Sequence, residues 1–279
     1  MKVNKITESK KNGSKKEIEI IEFDSLNEFY KYITETEVNN AFKNWKDSLP
    51  SNTGSKKFTG TNSFEEAVNL FKYGWKEEAE NLTQKLKAIE KETMVKTKQK
   101  PCLSVVGYQA VVPLYLQGVP NNMVNKKMVP IKQKVVTINK SISYAAKITK
   151  EQILEESIKA LQMIKKIESQ GVRCNLNVAW ATAADDKTLI IKIKVKSANE
   201  KLNVSKLAFP LVNPSMLRRL AFRFLEVYPG TTYKFTWGYG TPLSSFEIKK
   251  YLNEKEYILP RFIKQEVNSI DDLNNLILD

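Results

Sequence analysis

The order of apolar and polar positions divides the chain into recognisable units. Ile18, Ile20 and Phe23 alternate as a short strand after Glu17. Asp24 and Ser25 then open a helix, with Glu28 three residues after Ser25 and a stripe of Phe29, Tyr32 and Ile33. Residues 48–57 read as a loop. Ser63 caps a second helix with Glu66 in the capping-box position, and Phe64, Ala67, Val68, Phe71 and Trp75 share one face. Gly74 ends it before a charged helix predicted from about Lys76 to Met94. Leu103 to Val106 and Ala110 to Leu116 read as strands, and Val119-Pro120-Asn121-Asn122 as a turn.

The centre of the chain predicts a βαβ unit. Val135 to Ile138 form a β-branched run suited to a strand buried on both faces, and Asn139 to Ser143 follow as a polar turn. Thr149 with Gln152 caps a long helix to Ser169, whose stripe is Ile153, Leu154, Ile158, Leu161, Ile164 and Ile167. Cys174 to Trp180 return as a second strand. After the turn at Asp185-Asp186, Leu189, Ile191, Ile193 and Val195 alternate with residues that include Lys192, Lys194 and Lys196, the pattern of a half-exposed antiparallel strand. Asn213-Pro214-Ser215 starts a helix expected to turn Met216, Leu217, Leu220 and Phe224 inward and Arg218, Arg219 and Arg223 outward. Tyr233 to Trp237 reads as another core strand ending in the turn Gly238-Tyr239-Gly240-Thr241-Pro242.

Charge changes this picture. Across 279 residues, 45 Lys and Arg face 31 Asp and Glu, a formal charge of +14, with no histidine. The absence of imidazole excludes Ser-His-Asp and Cys-His nucleophiles and histidine zinc sites. The excess is segregated. Residues 1–16 hold six Lys and one Glu and read as a flexible basic tail. Between Thr93 and Lys150 there are ten Lys and no acid, including Lys126, Lys127, Lys132 and Lys134. A directed anion-binding surface and a merely solvated basic face both fit that run. Cys102 and Cys174 are too few for a disulfide framework and read as buried, which suits a reducing cytoplasm. No membrane-spanning run is present and no cofactor motif stands out.

Strand, Asn139-Lys140-Ser141-Ile142-Ser143, helix, strand, antiparallel strand, helix and Gly238-Tyr239-Gly240-Thr241-Pro242, over about residues 133–245, resembles the von Willebrand factor A-type fold. The resemblance implies an α/β architecture with a mostly parallel central sheet, here a domain at 96–245 preceded by an N-terminal segment of one strand and helices at 17–95 and followed by a C-terminal extension at 246–279. That family's first strand ends in Asp-x-Ser-x-Ser, which helps hold a divalent cation. Asn139 takes the Asp position and Ser141 and Ser143 the serine positions, so the main anionic oxygen is absent and no metal is expected. The same edge, with Gly238, Gly240 and Thr241, is the candidate ligand edge, because ligands in open α/β sheets bind beyond the carboxyl ends of strands. Together with Phe58-Thr59-Gly60-Thr61-Asn62-Ser63-Phe64, the chain also resembles proteins of tailed bacteriophages that bring no established activity.

Three functions follow as expectations. The first is non-catalytic, largely sequence-independent binding of nucleic acid or another polyanion through the lysines and through Arg218, Arg219 and Arg223. The second is an adaptor or virion component with a protein partner at the A-type edge. The third, the weakest, is metal-dependent phosphoryl transfer by Asp185, Asp186 and Glu226. An adjacent Asp pair is far more often a hairpin turn, and no phosphate loop accompanies it.

Overall fold

A computed structural model describes residues 1–9, 15–43, 51–87, 97–130, 134–236 and 238–259. The final helix predicted at Ser269 to Leu273, the last part of the charged helix, Lys132 and Trp237 lie outside the described residues.

The fold is α/β, built on a sheet ordered β1-β2-β8-β7-β6-β10. These strands are β1 (Lys2–Ser9), β2 (Lys15–Phe23), β6 (Val135–Ser141), β7 (Arg173–Ala184), β8 (Lys187–Lys196) and β10 (Glu256–Leu259). Parallel pairings join β6 to β7 and β10, and β2 to β8; β7 and β8 form an antiparallel hairpin, as do β1 and β2. The βαβ unit is present, with α6 (Lys150–Ser169) crossing from β6 to β7 behind a complete Thr149–Gln152 capping box.

The remaining helices follow their caps. Ser25 accepts from the Glu28 N–H at the start of α1 (Leu26–Glu35). After the single turn α2 (Lys56–Thr59), Ser63 accepts from Glu66 N–H to start α3 (Phe64–Tyr73), and Gly74 at φ +87° stops it before α4 (Lys76–Lys87). Asn203 caps α7 (Val204–Val212). A π-helical turn at Met216–Ala221 runs into α8 (Phe222–Val227), and Ser244 caps the short α9 (Ser245–Lys249). Phe23, Phe29, Trp180 and Phe224 meet edge to face where α1 and α8 cover the sheet, with Phe29–Trp180 and Trp180–Phe224 centroids 5.7 and 6.0 Å apart. Such ring pairs add about 0.5–1.5 kcal/mol each beyond area burial.

Several expectations are corrected. Lys2–Ser9 is not a loose tail: it pairs along β2, and Lys5 reaches Glu19 at 2.7 Å. The sheet therefore draws strands from both ends of the chain, β1 and β2 on one side and β10 from the supposed extension on the other. Strand β8 is not half-exposed, because the face that carries Lys192 and Lys196 is buried as well as the apolar one. Lys192 is 5% exposed, pairs with Glu22 at 2.5 Å and Glu256 at 3.0 Å, while Lys196 meets Glu168 at 2.6 Å. Asn139 to Ser141 do not form a turn but continue β6. Tyr233–Thr236 is a 3-10 turn, not a strand.

Residues 97–130 form a separate small sheet. Strand β5 (Met123–Pro130) lies between β3 (Thr97–Ser104) and the short β4 (Gln109–Ala110). Val112–Leu116, expected as a strand, is the helix α5 with Pro113 in its first turn, where a missing N–H costs nothing.

Candidate functional site

The residues of the predicted ligand edge separate into two groups. Asn139 and Ser141 are fully buried within β6. Asn139 accepts from Asn177 Nδ2 at 2.9 Å and donates to the Tyr257 carbonyl at 3.1 Å and to Glu256 at 3.2 Å, tying β7, β6 and β10 together. Ser141 Oγ accepts the Ser143 N–H, and Ser143 Oγ accepts the Ala181 N–H at 2.9 Å. A divalent cation would need hard anionic oxygens here, whereas these donors are neutral and already engaged, so the residues do not fit an A-type metal. Among the described residues no three Cys, Asp or Glu side chains converge to hold a metal ion.

Ser143, Gly238 and Gly240 instead line a cavity of about 430 Å³. Strand β6 leaves β7 at Ser141, and β9 (Thr241–Pro242) takes its place beside Thr182 and Ala183, running antiparallel. The cavity opens beside this exchange, beyond the carboxyl end of β6, the position at which ligands settle in α/β sheets. Thr241 pairs with Ala183 in β9 and is exposed. The rest of the wall includes Phe58, and also Tyr144, Trp180 and Phe222, which sequence reasoning did not single out as site residues. These aromatics come from four distant parts of the chain, and periodicity carries no signal of their convergence.

Gly238, Tyr239 and Gly240 are all left-handed, at φ +73°, +63° and +78°. A tyrosine in that region carries strain of about 1–3 kcal/mol unless neighbours hold it. Tyr239 is held by its hydroxyl, which donates to Glu226 at 2.6 Å, by its carbonyl, which accepts from Thr182 Oγ1 at 2.6 Å, and by stacking on Phe222 at 4.0 Å. Glu226 is fully buried, and Ser51 donates to it through Oγ at 2.6 Å. Burial pushes the Glu226 carboxyl above the ordinary range, against the opposing pull of Ser51, Tyr239 and Arg223. Asp185, at φ +50°, and Asp186 occupy the β7–β8 turn, and Asp185 pairs with Lys234, so no paired-carboxylate site forms with Glu226.

The arginines expected outside are inside. Arg219 is fully buried, with bonds to Thr61 Oγ1 at 2.8 Å, the Ser51 carbonyl at 2.9 Å and the Thr61 carbonyl at 3.0 Å. Arg218 is 4% exposed; it donates to the carbonyls of Phe58 at 2.6 Å, Ile148 at 3.0 Å, and Ala145 and Ala146 at 3.2 Å each. Its guanidinium lies 4.2 Å from the Phe58 ring centre. Arg223 is half-buried and reaches Glu226 at 3.5 Å and the Ile33 carbonyl at 3.4 Å. The cause is cover on every side: all six residues of the Met216–Ala221 turn are buried, and Ser51, Phe58, Thr61, Ala145, Ala146 and Ile148 lie over the face that a helical wheel projects outward.

The lysines differ. On the 97–130 sheet, Lys126 and Lys127 are exposed, Lys100 is exposed directly opposite Lys127, and Lys126 lies 5.3 Å from the Tyr108 ring centre. Lys134 is exposed at the start of the body of the fold, whereas Lys140 is fully buried near Glu156. The same sheet exposes Val106, Tyr108, Tyr115 and Leu116 by 61–78%. Cys102 is half-buried, and Cys174 is buried, with its thiol pushed up to about 12 by burial and by Glu168, which leaves it unreactive.

Among the described residues no helix is long and apolar enough to cross a membrane. No curated protein and no solved structure matches this chain. A family profile, described as a domain of unknown function, matches residues 5–277, and the chain therefore belongs to the DUF7192 family.

Proposed function

We propose that this protein binds nucleic acid with little sequence preference, using the β3–β5–β4 arm as its contact surface. The observation that carries this reading is the exposed Lys100 facing Lys127 across β3 and β5, in a segment without one acidic residue from 93 to 150. Like charges directly opposite on a sheet disfavour pairing, and a polyanion on that face removes the repulsion. Lys100, Lys126 and Lys127 supply phosphate contacts, and Tyr108 and Tyr115 supply exposed rings on which unpaired bases stack. Single strands are thus the preferred form. Arg218 and Arg219 take no part, since both are consumed inside the fold.

The A-type relationship is part of this proposal as ancestry. The β6–α6–β7 crossover, the β7–β8 hairpin and the cavity beyond β6 support it. A second reading, a protein-binding arm, draws on the exposed Val106, Val112 and Leu116 beside the lysines. A mobility-shift titration of the full chain with single-stranded DNA, single-stranded RNA and duplex separates the two. Nucleic-acid binding predicts shifts at low salt that are strongest for single strands. Absence of any shift overturns it in favour of a protein partner.

A further inference from the structure

The loop that carries Lys56, Lys57 and Phe58 is pinned from below. Arg219 donates to Thr59 and Thr61, and the Ser215 hydroxyl donates to the Thr59 carbonyl. Arg218 donates to the Phe58 carbonyl, lies over one face of the Phe58 ring, and with the same guanidinium holds the carbonyls of Ala145, Ala146 and Ile148. One buried side chain thus fixes two loops, 55–61 and 145–148, side by side at the rim of the cavity beyond β6, whose wall includes Phe58, Ala145 and Ala146. Neither loop contains an acid. Lys56, Lys57 and Lys147 are exposed and make no ion pair among the described residues, whereas Lys150 is spent on Glu78 and the Trp75 ring. Phe58 remains 37% exposed despite its contact with Arg218, so part of the ring is left for a ligand.

Inside the cavity no polar side chain is idle. Ser143 Oγ exchanges bonds with the Ala181 backbone, Thr182 Oγ1 donates to the Tyr239 carbonyl, the Tyr239 hydroxyl donates to Glu226, and Arg218 is engaged by its four carbonyls. The Trp180 Nε1–H and the Tyr144 hydroxyl have no exposed surface and do not face it. Such a wall takes a neutral, flat body, and any charge on the same molecule stays outside, at the lysines. A nucleotide within a single strand divides in this way, into a planar neutral base and flanking phosphates. The volume, about 430 Å³, lies within the ~300–1,000 Å³ of small-molecule sites and has room for a base with its sugar. Building on the single-strand reading above, we propose that the cavity takes one unpaired base, stacked on Phe58 and the Phe222–Tyr239 pair, while Lys56, Lys57 and Lys147 hold the flanking phosphates. The contact is with the face of the base, so it adds no sequence preference, and the exposed rim at Phe58 and Ala146 keeps the polar edge of the base in reach of water.

The test uses the full chain and an oligothymidylate carrying 4-thiothymidine, which cross-links under near-ultraviolet light to the side chains it touches, with the adducts located by peptide mass spectrometry. Adducts at Phe58, Phe222 or Tyr239 support the site. Adducts confined to the 97–130 arm overturn it and leave the role of the arm standing, and a wild-type chain that binds no single strand overturns both. Affinity gives a second readout. Phe58→Leu keeps the backbone carbonyl that Arg218 holds, so the fold is retained while oligothymidylate binding falls by about tenfold and duplex binding is unchanged. Phe246→Leu, at an exposed ring elsewhere, has no effect. Lys56→Gln, Lys57→Gln and Lys147→Gln together, all at exposed positions, remove about 2 from the slope of log K against log salt. Wild-type affinity in Phe58→Leu together with an unchanged slope in the lysine variant overturns the proposal.

Discussion

The Tyr239 hydroxyl donates to Glu226 at 2.6 Å from a residue whose own backbone is left-handed, at φ +63°. The bond fixes a strained residue at the cavity mouth and supplies a buried carboxylate with a donor. Tyr239→Phe leaves Glu226 short of that donor and loosens the turn. It lowers unfolding free energy by about 1–3 kcal/mol in urea titrations at neutral pH.

Glu226 also gives a pH signature. Its folded-state value is raised by burial above the ordinary 4.5, so between those values the folded chain keeps a proton that the unfolded chain has lost. This contribution to stability is full below the ordinary value and is lost as pH rises through the folded value. Glu226→Gln removes that component, and the decline in stability with rising pH becomes shallower than in the wild type.

Glu256 acts with the opposite sign. Burial works to raise its value, but the Lys192 charge and the bonds from Lys192, Asn253 and Asn139 overcome it and hold the carboxyl below 4.5. Its contribution is present above that ordinary value and is lost as pH falls through the folded value. Glu256→Gln therefore flattens the acid limb of the stability profile. At neutral pH it costs about 1–3 kcal/mol, less than a fully orphaned buried charge, because Lys192 keeps Glu22.

The two glycines of the cavity turn separate backbone conformation from space. At Gly238, φ is +73° and a Cβ would meet nothing within 4 Å, so Gly238→Ala costs about 1–2 kcal/mol for the left-handed backbone alone. At Gly240, a Cβ would lie 2.5 Å from Thr182 Oγ1 and 2.7 Å from the Ala183 carbonyl. Gly240→Ala is accordingly the more damaging change, seen as a larger drop in Tm, and it disturbs the β7–β9 pairing.

Much of this fold was legible where local chemistry decides it. The caps at Ser25, Ser63 and Thr149 mark helix starts, and the Val135 run with the return at Cys174 marks the parallel pair. What escaped depends on distant partners. Lys192 reads as solvent-facing until Glu22 and Glu256 arrive from strands at opposite ends of the chain. Arg218 and Arg219 read as surface residues because a helical wheel has no means of showing that Ser51, Phe58, Thr61 and the carbonyls of Ala145, Ala146 and Ile148 close over that face. The candidate edge was half legible. Ser143, Gly238 and Gly240 line the cavity, but the aromatic wall is assembled only by tertiary packing.

On the proposed function, the lysines of the arm carry polyanion binding and the buried arginines do not. The most direct measurement is the salt dependence of single-stranded DNA affinity, compared between the wild type and the Lys100→Gln, Lys126→Gln, Lys127→Gln triple variant. Each phosphate contact contributes ~0.7 to the slope of log K against log salt on single strands, so the variant is predicted to lose about 2 from that slope and to bind more weakly at low salt. A triple variant with wild-type affinity and an unchanged slope would contradict the account.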